Sequence, residues 1–107
     1  MANDFKNAHE QGITTIRDIY EAPAGKTTLL LELDVANVTT AIVSVTVTVT
    51  DASNSDTSTH LVKKAPLPTG GTLQVVSGQK VILEAGDKVQ VMATGTCDVV
   101  AAVLEDV

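Results

Sequence analysis

The sequence is nearly devoid of aromatic residues and holds a single cysteine. Its 107 residues include no tryptophan, one phenylalanine (Phe5) and one tyrosine (Tyr20). An interior without aromatic rings has to be filled by aliphatic side chains, each of which buries less area than a ring does. The shortage also argues against a carbohydrate-binding module, because sugar faces stack on tryptophan and tyrosine. Cys97 has no partner for an internal disulfide, which fits synthesis in a reducing compartment.

Basic residues and long apolar segments are scarce as well. Seven basic residues against thirteen acidic ones give a net charge of −6. A phosphate backbone would be repelled, so we expect no nucleic-acid partner. No apolar run approaches the roughly 18 residues that span a bilayer, so we expect no membrane partner either. The segment Met1–Lys6 lacks the charged-then-apolar layout of a signal peptide, and export by that route is not expected.

Valine and threonine, by contrast, are abundant. The sequence has 16 valines and 15 threonines, which together make up roughly 29% of the chain. Branching at Cβ restricts side-chain rotamers and suits a pleated, half-buried surface. At 107 residues the chain has the length of one ordinary domain. The composition therefore predicts a single all-β domain, whose thin aliphatic core makes assembly with other copies an attractive source of stability.

Alternating apolar and polar residues predict about eight short strands with turn signals between them. The predicted strands cover residues 15–21, 27–37, 42–50, 59–65, 72–76, 80–83, 88–93 and 99–104. Glycine, proline and small polar residues mark the breaks, and no segment predicts a helix of useful length. Eight strands at this spacing favour a β-sandwich of the jelly-roll type over a seven-stranded, immunoglobulin-like layout.

Three of these strands carry specific expectations about their faces. In residues 42–50 valines alternate with hydroxyl residues, which predicts a buried valine face and a hydroxyl face in solvent. In residues 27–37 the alternation places four side chains on the buried face, namely Leu29, Leu31, Leu33 and Val35. Residues 99–104 are apolar on both faces, so this strand either lies centrally in the sandwich or meets a partner subunit.

The N-terminal residues 1–12 differ from the rest of the chain. They are polar, show no clear period and end at Gly12. We expect them to form a flexible arm that becomes ordered where a neighbour holds it, the alternative being a frayed terminus. The β-sandwich domain is accordingly assigned to residues 13–107.

Residue types that ligate metals are scattered along the chain. His9, His60 and Cys97 each lack a second histidine or cysteine at ligand spacing. The loop Asp51–Asp56 has two carboxylates and several hydroxyls, but it lacks the spacing of a calcium-binding loop. We therefore expect no metal site and no cofactor.

The sequence shows no constellation that predicts catalysis. No serine lies in the context of a nucleophile elbow, and Cys97 precedes an apolar strand, where cysteine behaves as a small hydrophobe. Glu32 and Asp34 would share a strand face with their Cα atoms ~7 Å apart, but no aromatic sugar platform accompanies them. The glycosylation sequon Asn37–Thr39 has no secretory context. We expect no catalytic, cofactor-binding or metal-binding residues, and hence no enzyme.

Five segments, in order along the chain, carry a resemblance. They are IYEAPAGKT (19–27), LDVANV (33–38), LVKKAPLPTGG (61–71), VILEAGD (81–87) and the apolar end VLE (103–105). Arranged around a Val/Thr-rich strand, they resemble small virion structural proteins encoded among the head and tail genes of tailed bacteriophages. The resemblance spans residues 16–105 and rests on turn-and-strand features.

This resemblance implies a β-sandwich subunit that is repeated many times on a virion. Within that class it favours a capsid decoration (cement) protein, which commonly forms trimers that bridge capsid subunits against internal DNA pressure. The partners would be other copies of the chain and the major capsid protein or another virion protein. The protein would be made in the bacterial host cytoplasm and end in the virion. The alternatives are a tail, neck or fibre component, or a soluble β-sandwich module that binds a small ligand or peptide.

Overall fold

Eight antiparallel strands form two four-stranded sheets packed face to face. A computed structural model describes residues 4–105. The strands are β1 (Asp4–Ile13), β2 (Arg17–Glu21), β3 (Thr28–Asn37), β4 (Val43–Asp51), β5 (Thr57–Leu67), β6 (Thr72–Leu83), β7 (Lys88–Ala93) and β8 (Cys97–Glu105). One short 3-10 turn, Ala52–Asn54, joins β4 to β5. Within residues 4–105 no helix is long and apolar enough to cross a membrane.

The strand order is that of a jelly roll. The first sheet has the order β1-β8-β3-β6 and the second has the order β2-β7-β4-β5. The first four strands thus pair with the last four in reverse order, β1 with β8, β2 with β7, β3 with β6 and β4 with β5. A long antiparallel ribbon wrapped around one core gives this arrangement. The predicted all-β, single-domain sandwich is confirmed.

The interior between the sheets is aliphatic, as the composition predicts. Its largest fully buried side chains are Ile13, Leu30, Leu33, Leu83, Val35, Val45, Val47, Val76, Val89, Val91, Val99 and Val103. Tyr20 borders this core, whereas Phe5 lies outside it and is 76% exposed. Since each buried valine or leucine contributes about 1.5–3 kcal/mol, stability is spread over many small contributions.

Residues 4–12 do not form the predicted arm, because they belong to β1. Residues Asp4–Glu10 pair one by one with Val99–Glu105 of β8, and Ile13 at the end of the strand is fully buried. Hydrogen bonds to β8 satisfy the backbone groups on one side of this segment. Its side chains are mostly exposed, so its sequence shows no apolar periodicity that would predict a strand. The predicted boundary at residue 13 is therefore wrong for these residues. Residues 1–3 lie outside the described range.

The count of eight strands agrees with the prediction only because two differences cancel. Strand β1 is added, whereas the runs predicted at 72–76 and 80–83 form the single strand β6. On β3, Leu30 and Glu32 are two residues apart, but their partners on β6, Val81 and Ser77, are four apart. The residues between these partners therefore bulge out of the ladder without ending the strand.

A bulge in β3 also changes which of its side chains are buried. Leu30 pairs with Val103 of β8 and Glu32 pairs with the next residue of β8, so Leu31 is an extra residue in β3. One inserted residue reverses the alternation of faces. Leu30 is consequently buried before the bulge and Leu33 after it, while Leu29 and Leu31 are half-buried. The predicted single face of residues 29, 31, 33 and 35 is therefore wrong in its first half.

Strands β4 and β8 lie between neighbours in their sheets. Val43, Val45 and Val47 of β4 face the core as predicted, but the hydroxyl face is only partly open. Thr48 and Thr50 are buried because the side chains of the adjacent strands cover them. Strand β8 pairs with β1 on one side and β3 on the other, so the central position is the alternative that the structure supports.

Candidate interaction surfaces

The side chains that could ligate a metal stay apart in the fold. His9 on β1 and His60 on β5 are exposed, and the ring Nε2 of His9 lies 3.0 Å from Asn7 Oδ1. Cys97 is a buried free thiol, and burial raises its pKa. Among residues 4–105 no three histidine, cysteine or carboxylate side chains come together as a metal site.

The Asp51 loop and the sequon both serve local structure. Asp51 Oδ1 accepts hydrogen bonds from the backbone N–H (3.1 Å) and the hydroxyl (2.7 Å) of Ser53 and so caps the 3-10 turn. Asn37 is buried, and its amide donates to the carbonyl oxygens of Ala41 (2.8 Å) and Leu67 (3.0 Å). These bonds tie the β3–β4 loop to the end of β5, so the Asn37 side chain is a structural group.

A polar cluster that sequence reasoning missed joins the two sheets at one end of the sandwich. Tyr20 on β2 donates a hydrogen bond to Glu105 on β8, and the Thr28 hydroxyl on β3 lies 3.2 Å from the tyrosine oxygen. Lys6 Nζ on β1 lies 3.0 Å from Glu105 Oε1. Glu105 is buried, and a buried carboxylate is tolerated where donors of this kind surround it.

The cluster shifts the acid–base equilibria of its members. The hydrogen bond from Tyr20, together with Lys6, lowers the pKa of Glu105. Burial, followed by the bond to Glu105, raises the pKa of Tyr20 to about 12. The hydrogen bond to Glu105 raises the pKa of Lys6. The shifts of Glu105 and Lys6 favour the folded arrangement near neutral pH, where Tyr20 stays protonated and can donate its hydrogen bond. The cluster is therefore a structural clamp between the sheets.

The outer face of the first sheet carries a row of apolar side chains that crosses all four strands. Phe5 pairs with Leu104, Leu104 with Leu29, and Leu29 with Ile82. Phe5 is 76% and Ile82 63% exposed, while the two leucines between them are half-buried. We call these four residues the apolar row. Sequence reasoning missed it because the four residues come from four separate strands and meet only through the register.

Carboxylates accompany the apolar row on the same face. Glu32 and Asp34 lie after the bulge in β3, paired with Ala102 and Val100 of β8, and they share the outer face as predicted. Glu32 is exposed and Asp34 is half-buried. An exposed apolar patch with polar residues at its rim is typical of a protein contact surface.

The outer face of the second sheet has a different character. It forms an open groove of about 790 Å³ beside the turn between β1 and β2. The lining residues are Thr14, Thr15, Ile16, Ser44, Thr46, Lys64, Met92, Ala93 and Thr94. Lys64 has a positive φ of 52°, which is unusual for a residue with a side chain, and its backbone N–H donates to Thr46 Oγ1 at 3.0 Å. Bulges of this kind redirect side chains, here toward the groove.

Comparison with known proteins identifies the fold. No known sequence family and no curated protein matches the chain. A chain of the acidic stable capsid structure of Helicobacter pylori bacteriophage KHP30 has a TM-score of 0.58 and 13% identity, covering 100% of this chain and 89% of that one. A chain from Bacillus endospore appendages, a family of disulfide-linked pili, has a TM-score of 0.56 and 13% identity, covering 98% and 86%. At this identity the likeness shows a shared fold.

Proposed function

We propose that the protein is a structural subunit of a bacteriophage virion, and within that class a capsid decoration (cement) protein. The observation that carries the proposal is the apolar row, a contact surface across the outer face of a sandwich. A jelly roll that matches a phage capsid chain over its whole length supports a role in a shell.

The proposal includes assembly of several copies and attachment to a particle. A thin aliphatic core and an exposed Phe5 both favour burial against a neighbour. We propose a homotrimer as the assembled unit, and the major capsid protein or another virion protein as the surface to which it attaches. A tail, neck or fibre position in the same virion is the alternative within this class.

The test uses particles of the phage that encodes the protein, prepared without it. The molar mass of the purified protein is first measured by light scattering on a sizing column. A trimer has three times the 11.1 kDa of the chain. It is then added to the particles, and the bound fraction is measured by sedimentation. Saturable binding to heads supports decoration, whereas binding only to tails or necks supports the alternative position.

A paired variant shows whether the apolar row makes the attachment. Phe5→Ser with Ile82→Ser removes its two exposed members and should abolish binding. Ile42→Ser is the matched control, because Ile42 is equally exposed but does not belong to the row. Equal binding of the paired variant and the control would contradict the proposed contact surface.

The groove on the second sheet supports a second candidate function, a binding module for a small ligand or peptide. Its lining combines threonine and serine hydroxyls and Lys64 with apolar side chains that include Met92. Such a site has the composition of a ligand cleft, although it is open rather than enclosed. Met92→Arg would fill the groove, so loss of a ligand found by screening, with particle binding unchanged, would favour this candidate.

A further inference from the structure

Four strands are sheet edges, and three of them are interrupted. Strand β2 has five residues and a register shift, and β5 has two register shifts, a positive φ at Lys64 and an exposed proline at Pro66. Strand β6 has two shifts and an exposed Lys80. Bulges, prolines and lysines of this kind keep edge strands from pairing with other chains.

Strand β1 has no bulge, proline or positive φ over residues 4–10, and its one lysine, Lys6, already lies 3.0 Å from Glu105. Its seven residues pair with β8 in one unbroken register, which is longer than any unbroken run on the other three edges. Among the strands of residues 4–105, none lies beside the other edge of β1 in its sheet. A regular, exposed edge is a template for another strand, with main-chain hydrogen bonds supplying the attraction.

We propose that β1 pairs antiparallel with β1 of a second copy, about a two-fold axis at Ala8. The two first sheets would then join into one eight-stranded sheet, with both sandwiches on the same side. Such a contact is isologous, since each copy offers the same segment to the other. The inference goes beyond the proposed function and does not depend on it, because a two-fold contact can form in solution or between larger units.

Charge complementarity selects the second copy and the register. Lys6, Ala8 and Glu10 point toward the core side of the sheet, opposite Val103, Ala101 and Val99. An axis at Asn7 would place Asp4 opposite Glu10 of the partner twice, and an axis at Lys6 would place the two lysines together. An axis at Ala8 places Lys6 opposite Glu10 twice. An axis at Phe5 would pair Asp4 with Lys6 twice, but the described strands would overlap over residues 4–6 only. Opposite charges stabilise a cross-strand pair and like charges destabilise it.

The existing ion pairs at β1 leave room for this contact. Lys6 Nζ lies 3.0 Å from Glu105 on one side, and its side chain is 54% exposed, so further donor protons of the ammonium remain available. Glu10 accepts from Arg17 at 3.0 Å. In the paired edge, charges of opposite sign would follow one another. Glu105 and Lys6 of one copy would be followed by Glu10 and Arg17 of the other copy. Such a network specifies register more than it adds affinity, so we expect weak, reversible association.

Cross-linking tests the contact on the full chain. The variant Ala8→Cys places two thiols directly opposite each other, at a Cα separation that a disulfide accepts. Thr40→Cys, in the exposed β3–β4 loop, is the matched control, and the native chain with its buried Cys97 gives the background. Under mild oxidation we expect the covalent dimer to form about tenfold faster at position 8 than at position 40.

Charge reversal tests the register. In the Ala8→Cys background, Lys6→Glu and Glu10→Lys should each lose most cross-linking, because like charges then face each other twice. Mixing the two variants in equal amounts should restore cross-linking, because a dimer with one copy of each variant again pairs opposite charges. Circular dichroism checks that each variant folds. Should Lys6→Glu unfold beside Glu105, loss of cross-linking in Glu10→Lys alone still tests the pairing.

Two results would overturn the inference. Equal cross-linking rates at positions 8 and 40 would show that β1 does not pair with itself. Faster cross-linking of Asn7→Cys than of Ala8→Cys would place the axis at Asn7 and contradict the register. Neither result bears on attachment to particles, which the sedimentation assay measures separately.

Discussion

The outer faces of the two sheets are built differently, although both sheets are rich in branched residues. The second sheet presents hydroxyls, with Thr46 and Ser44 of β4 lining a groove of about 790 Å³. The first sheet presents the apolar row beside Glu32 and Asp34. On the second sheet hydroxyls are interspersed with exposed apolar side chains such as Met92, whereas on the first sheet Phe5 and Ile82 are the exposed ends of a continuous apolar row. This difference is the reason why we propose the first sheet as the contact face.

Substitutions at two adjacent residues of β4, one on the inner and one on the outer face, should give the largest difference in stability. Val45 is fully buried and Thr46 points to the groove. Val45→Asp places an unpaired carboxylate in the aliphatic core and should lower the free energy of unfolding by about 4 kcal/mol or more. Thr46→Asp should cost less than about 1 kcal/mol. Urea denaturation measures both, and similar losses would show that the faces are assigned wrongly.

The clamp between the sheets should give the next largest effect. Glu105→Gln removes the charge that attracts Lys6 and leaves a weaker, neutral acceptor for Tyr20, so it should cost about 1–2 kcal/mol. The exposed Glu84→Gln should change stability little. Thermal unfolding at pH 7 compares them. A loss no larger than that of the control would contradict the clamp.

The same cluster predicts how stability depends on pH. Because the folded pKa of Glu105 is lowered, its contribution is present above the ordinary carboxyl range and is lost as the pH falls through the folded pKa. The pKa of Tyr20 is raised to about 12, so unfolding becomes easier above pH 10, where the tyrosine of the unfolded chain ionises first. The melting temperature should therefore fall both at acidic pH and above pH 10. In Glu105→Gln the fall at acidic pH should be smaller.

Backbone conformation on the second sheet predicts a smaller effect with opposite signs at two neighbouring lysines. Lys64 has a positive φ of 52°, which glycine adopts without strain. Lys64→Gly should therefore stabilise by up to about 1 kcal/mol, whereas Lys63→Gly, at an ordinary strand position, should destabilise by about 0.5–1 kcal/mol. Chemical denaturation of the two variants checks this. Equal destabilisation would contradict the strained conformation.

Substitution in the apolar row should have the smallest effect on stability. Phe5 and Ile82 are largely exposed, so Phe5→Ser with Ile82→Ser should change the unfolding free energy by less than about 1 kcal/mol. Binding of a fluorescent apolar dye should fall in this variant and remain in Ile42→Ser. A large loss of stability would show that the row is part of the core.

The parts of the fold that could be predicted from the sequence are those whose signal is local. Alternation in β4 predicts Val43, Val45 and Val47 in the core, because a strand surrounded by its sheet buries one face regularly. Strand β1 lacked such a signal, since it is held by pairing with β8 and buries only Ile13 fully. The face reversal at Leu31 depends on an inserted residue that only the partner strands reveal.

The surfaces were less predictable than the fold for the same reason. The clamp joins Lys6, Tyr20 and Glu105 from three strands, and the apolar row joins four residues that are distant in the chain. Neither has a motif, because both arise from register and from the packing of one sheet on the other. His9, His60 and Cys97, in contrast, lie on three different strands, and the absence of a metal site stays a prediction.

The pairing of Asp4 with Glu105 has a further consequence. The two ends of the described chain lie side by side on neighbouring strands, so a short linker would suffice to join them. A circularly permuted chain, reopened within the exposed turn Ala52–Asn54, should keep the same jelly roll. Conversely, segments that precede Asp4 and follow Glu105 start from one corner of the sandwich, which suits display of paired segments.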